Sequence, residues 1–98
     1  MDERAIARRQ VQIINPYGLR LRAADSFVKL ANSFQSEVWV GYQGTKANGK
    51  SFLDMTSLAA ECGSALDLEA LGPDAGEAVA ALSTLVAAGF YINEEDCQ

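Results

Sequence analysis

The chain contains no histidine. That absence removes the imidazole general base, the commonest metal ligand and the nitrogen nucleophile that can carry a phosphoryl group. Cysteine is nearly as scarce, with Cys62 and Cys97 the only thiols. Because Cys97 stands in the polar run at 93–98, a disulfide is not expected; Cys62 reads as a half-buried core residue and Cys97 as incidental. Two thiols without imidazole also make a poor metal site, so neither a metal nor another cofactor is expected. Positive charge is in deficit: Lys and Arg number 8 against 13 Asp and Glu, a formal net charge of -5. Sequence-independent nucleic-acid binding, which needs a cationic surplus to displace phosphate counterions, is therefore excluded as an expectation. No apolar run suits a signal peptide or a membrane span, which implies a cytoplasmic protein working away from membranes.

What is present suits one core. At 98 residues with 49% hydrophobic and 21% charged composition, the chain has enough apolar surface to offset chain entropy but too little length for two cores. Residues 1–91 are expected to form a single domain and 92–98 an acidic tail.

Residues 8–14 place Val11 and Ile13 on one face and Arg8, Gln10 and Gln12 on the other, the period of a half-buried strand. Turn residues Asn15, Pro16 and Gly18 precede a helical pattern, Leu21, Ala24, Phe27, Val28, Ala31 and Phe34, which predicts a helix over 21–33. Residues 37–42 alternate again, with Val38, Val40 and Tyr42 on one face and Trp39 on the other. A brief third strand at 45–47 follows the Gln43-Gly44 turn. Ser51 can cap a short helix that Asp54 braces and that ends near Cys62-Gly63. Residues 65–71 form a fourth strand with Leu66 and Leu68 inward. Asp74 and Glu77 then suggest a capping box for a last helix with an Ala78, Leu82, Leu85, Val86 stripe ending at Gly89. The order βαββαβα predicts an α+β open-faced sandwich, a four-stranded antiparallel sheet with three helices on one face.

Gly18-Leu19-Arg20-Leu21-Arg22-Ala23-Ala24 resembles the active-site segment of HPr, the phosphocarrier of the sugar phosphotransferase system, whose usual pattern is Gly-Leu-His-Ala-Arg-Pro-Ala. The resemblance continues, in register, through 27–31, 49–53 with Ser57-Leu58, and 72–78, about four fifths of the chain. It implies the HPr fold and, by its departures, a degenerate member. Arg20 stands at the phosphoryl-accepting histidine, and a guanidinium that stays protonated cannot serve as that nucleophile. Ala23 replaces a proline that would preset the helix start. Arg22 matches the arginine that assists the phosphoryl group.

The resemblance also places Ser51 at a site that a regulatory kinase phosphorylates in some bacterial relatives, with Asp54, where the family usually has glycine, as an opposing charge. Phe52 and Leu53 match apolar positions used for docking, while Thr56 replaces a usually apolar residue. Phe52 can alternatively fold over Trp39 or Tyr42 as core cover. The expected function is non-catalytic: a regulatory protein that docks on protein partners, such as an HPr-type kinase or regulator, through Phe52 and Leu53 with Ser51 as switch. The alternative is a small-anion or phosphoryl-binding module at the helix start, using Arg20, Arg22 and the backbone N–H groups of Ala23 and Ala24. No nucleophile lies beside a plausible base, so no enzyme is expected.

Overall fold

In the computed structural model, which describes residues 5–92, the elements follow the predicted order: β1 (Ala5–Gln12), α1 (Leu21–Ala31), β2 (Glu37–Tyr42), β3 (Thr45–Asn48), α2 (Phe52–Leu58), β4 (Ala65–Gly72) and α3 (Ala75–Ala87). The sheet runs β1-β4-β2-β3 and every neighbouring pair is antiparallel. Helices cover one face. Ile13, Leu19, Phe27, Val38, Val40, Met55, Leu66, Leu68, Leu82 and Val86 meet there in a common core, each inward residue alternating with a solvent-facing neighbour along the strands. No helix among the described residues is long and apolar enough to cross a membrane.

The outer sheet face is polar and cross-linked. Glu69 of β4 takes Arg8 of β1 at 2.9 Å and Lys46 of β3 at 3.3 Å. Lys46 reaches across β2 because its partner there is Gly41, which has no side chain in the way. The hydrogen bond from Arg8, then that from Lys46, holds the Glu69 carboxyl below its usual range. Lys46 also lies 6.0 Å from the Trp39 ring centroid. Trp39 is thus on the opposite face from α2, and Phe52 does not fold over it.

Several boundaries move, each for a tertiary reason. Strand β1 starts and ends earlier than the alternation suggests, because its ladder with β4 runs from Ala5 opposite Gly72 to Gln12 opposite Ala65. Ile13 leaves the ladder as a fully buried residue, its N–H donating to the Ser64 carbonyl at 2.9 Å. Helix α1 stops at Ala31, and the Asn32 side chain turns back to the Val28 carbonyl. Leu21, read as part of its buried stripe, is 67% exposed. Strand β3 extends to Asn48, paired with Trp39, and the two-residue turn joining it to β2 places both Gln43 and Gly44 at positive φ. Helix α2 ends at Leu58 rather than near Cys62, because Ala59 is left-handed at φ 53°.

Asp74 does not close a capping box on α3. Its carboxylate instead reaches Gln35 N–H at 2.9 Å and Ser36 N–H at 2.8 Å and also accepts from the Ser36 hydroxyl, while Asp74 N–H donates back to Ser36 Oγ. Those bonds, led by the Ser36 hydroxyl, lower its pKa. Past α3 a single turn, Gly89–Tyr91, buries Phe90, and Ile92, which the sequence reading assigns to the tail, packs against the core. The remaining tail, including Cys97, lies outside the described residues. Cys62 is disulfide-bonded, which corrects its reading as an unlinked core cysteine.

Candidate functional site

The loop before α1 is built by Asn15 and Gly18. Asn15 Nδ2 donates to the Gly18 carbonyl at 2.7 Å, and Gly18 N–H donates to the Asn15 carbonyl at 3.1 Å. Gly18 sits at φ +66°, and a Cβ there would lie 2.4 Å from the Ala60 carbonyl oxygen. Glycine is required both for the backbone angle and for the close approach. Leu19 N–H donates to that same carbonyl at 2.8 Å, so the start of α1 is bolted to the segment leaving α2.

Arg20 is the N-cap of α1. Its backbone is extended, φ −104° and ψ −163°, and its side chain makes no capping hydrogen bond. The first turn holds no acidic residue, so nothing within it offsets the positive end of the helix dipole. Arg20 and Arg22 are exposed; among the described residues neither is in an ion pair. The amides at this end differ in availability. Ala24 N–H donates to the Arg20 carbonyl at 2.7 Å, which removes Ala24 from the expected anion donors because its proton closes the first helical bond. The first-turn amides of Leu21, Arg22 and Ala23 precede that bond. Ala23 and Ala24 themselves are buried, Ala24 completely, and form the floor under the exposed arginines.

Arg20 also lines an open cleft of about 530 Å³ between segments 16–21 and 56–62, with Tyr17, Leu21, Thr56, Glu61 and Cys62 around it. Tyr17 is 60% exposed. Sequence reasoning did not assign Tyr17 or Leu21 to the site. Leu21 fits the apolar helical period, and only the docking of α1 decides that it faces solvent.

Ser51 is the N-cap of α2, with its Oγ accepting from Asp54 N–H at 3.2 Å. The Asp54 carboxylate does not complete the reciprocal half of a capping box. It accepts from Asn48 N–H at 3.2 Å, and Ser51 N–H donates to the Asn48 carbonyl at 3.0 Å. Lys50, which precedes the serine, spends its ammonium on the Phe34 carbonyl at 2.7 Å. Phe52 is 38% and Leu53 75% exposed. Thr56 turns its hydroxyl back to the carbonyls of both, at 3.1 and 3.0 Å, so this polar replacement is satisfied within the helix. Through Thr56, α2 shares the cleft with Arg20, whereas Ser51, Phe52 and Leu53 do not line it.

The fold is a small open-faced α+β scaffold, and the candidate residues lie at an exposed helix start and on an adjoining short helix. The chain belongs to the HPr family. Residues 7–88 match the family profile described as the PTS HPr component phosphorylation site. The phosphocarrier protein HPr of Neisseria meningitidis is 40% identical over 79 residues, covering 81% of this chain and 89% of the relative. The HPr-like protein Crh of Bacillus subtilis is 36% identical over 90 residues, covering 92% and 99%. Among solved structures, HPr-C-His of Thermoanaerobacter tengcongensis superposes with a TM-score of 0.85 at 34% identity, over 89% of this chain and 98% of that one.

Proposed function

We propose that this HPr-family protein is a non-catalytic, cytoplasmic regulator that docks on protein partners through Phe52 and Leu53 and is switched by phosphorylation of Ser51. The observation that carries the reading is Arg20: by the resemblance of residues 18–24 to the family's motif it stands in the acceptor histidine's place, it is an exposed guanidinium, and the chain has no histidine to replace it. Without an acceptor, the retained docking helix is the part of the scaffold that can still act. Support by analogy comes from Crh of Bacillus subtilis, described as a catabolite repression HPr.

Phosphate on Ser51 would add about −1.5 to −2 charge beside the exposed Phe52-Leu53 pair. It would meet the α2 amides but also the Asp54 carboxylate, and with Lys50 held by Phe34 no adjacent ammonium balances it. The test is incubation with a bacterial HPr kinase and mapping of the modified residue. Label is expected on Ser51 and absent from Ser51→Ala. An unmodified Ser51, in the same tube as a labelled ordinary HPr, removes the switch.

A second reading is favoured by the α1 start, where two cations that make no ion pair among the described residues meet a first turn without a carboxylate and the early amides of Leu21, Arg22 and Ala23. We propose weak binding of phosphate or a phosphoryl-bearing ligand there. Titrating inorganic phosphate should move the amide resonances of residues 20–23; resonances that stay fixed would reduce both arginines to solvated surface.

A further inference from the structure

Strand β1 lies at the edge of the sheet, with β4 on one side and, among the described residues, no strand on the other. It is the longer of the two edges, eight residues against four in β3. It contains no proline, and its ladder with β4 keeps one register from Ala5 to Gln12. Neither proline nor a bulge therefore interrupts its outer row of backbone groups. Beside that edge an open groove of about 390 Å³ lies between β1 and the C-terminal half of α3, with Arg9, Val11, Ser83 and Ala87 in its lining. Two of these side chains lack a partner. Arg9 stands opposite Leu68 of β4, which is buried in the core, so Arg9 is on the helix-bearing face of the sheet. It is the one charged residue of the groove and, among the described residues, makes no ion pair. Ser83 is 4% exposed, and its hydroxyl has no hydrogen-bond partner. The neighbouring Thr84 returns its hydroxyl to the Ala80 carbonyl at 3.0 Å; Ser83 does not follow it, which leaves a buried polar group of the kind that folded proteins rarely tolerate.

We propose that the β1 edge is a docking site for an extended segment of a partner protein, which adds to the sheet beside β1 and presents a carboxylate to Arg9. In strand addition the backbone supplies affinity and alternate side chains supply choice. Arg9 and Val11 are two residues apart and share the groove. The segment that fits them carries an acidic residue at one position and an apolar, β-branched residue two positions away. Ser83 offers its hydroxyl to a polar group that enters the groove. A second copy of this chain is the poorer occupant. Pairing β1 with itself would gather Arg8 and Arg9 of both copies on one pair of strands, and like charges facing one another across strands oppose association. The cation that discourages self-pairing is the one that favours a strand bearing a carboxylate. The groove shares no residue with the Arg20 cleft or with α2, so docking here stands apart from both readings above.

The probe is a synthetic peptide with capped ends and the length of β1, threonine alternating with valine, with one central valine replaced by glutamate. Titrated into the isotope-labelled protein, it should move the amide resonances of residues 5–12 and 83–87 and leave those of 20–22 and 51–53 in place. Glutamine in place of the glutamate should weaken binding by up to about fivefold, the size of one opposite-charge pair across two strands. Arg9→Glu, at an exposed position, should reverse the preference, so that a peptide with lysine in the central position binds better than one with glutamate. N-methylation of alternate peptide amides should abolish binding in the phase that faces β1 and spare it in the other. The proposal is overturned if residues 5–12 do not respond, if Arg9→Glu keeps the parent's preference, or if the two methylation phases bind alike. It also fails if the resonances of residues 5–12 move with protein concentration alone, which would put a second copy on the edge.

Discussion

Gly18 and Ala60 meet more closely than any residue with a side chain would allow at position 18, where a Cβ would stand 2.4 Å from the Ala60 carbonyl oxygen. This contact joins the loop that presents Arg20 to the segment that leaves α2, so stability and site geometry share one joint. Gly18→Ala combines a positive φ with a backbone clash and is expected to cost about 2–4 kcal/mol. Urea unfolding measures it. A loss below about 0.5 kcal/mol, the usual range of surface substitutions, would mean that the loop relaxes freely and does not brace the site.

The Asp74–Ser36 clasp predicts a pH dependence. Its hydrogen bonds depress the native carboxyl pKa, so Asp74 binds protons less readily folded than unfolded. Its contribution is full above the unfolded value of about 3.9 and is lost as pH falls through the lower native value. Asp74→Asn should therefore be less stable than the parent at pH 7, and the gap in urea midpoint should narrow on acidification below about pH 4. A gap that is constant with pH would assign the loss to packing instead.

Arg20 leaves no acceptor, so phosphoenolpyruvate and the phosphotransferase that charges ordinary HPr should deposit no acid-labile label on this chain. Arg20→His should restore transfer only weakly. The new imidazole would sit at an N-cap followed by Ala23 rather than a proline, and small misplacements of a reacting group cost on the order of 10²-fold in rate. Transfer at the rate of an ordinary HPr would show that the rest of the site is intact.

At Ser51 the opposing group is Asp54, whose carboxylate is tied to Asn48 N–H and so cannot swing far from an incoming phosphate. Asp54→Asn removes the like charge while keeping an acceptor for that N–H. It should be labelled by an HPr kinase several-fold faster than the parent. Equal rates would mean that Lys50, bonded to Phe34, and not Asp54, limits recognition.

The sequence by itself determined the missing histidine, the order of the seven elements and the inward faces of the strands. These follow from residue identity and from periods of two to four residues, which report contacts between near neighbours along the chain. It also marked Ser51 as a cap, since capping is settled within one turn. Tertiary structure decided whatever depends on a partner far along the chain. Asp74 carries the signature of a local cap, yet Ser36, 38 residues away, offers its carboxylate more donors than its own helix does. Lys50 precedes Ser51 but answers to Phe34. Leu21 keeps the helical period and faces water. Periodicity cannot encode such choices, because it records which residues share a face and not which distant groups will be packed against that face.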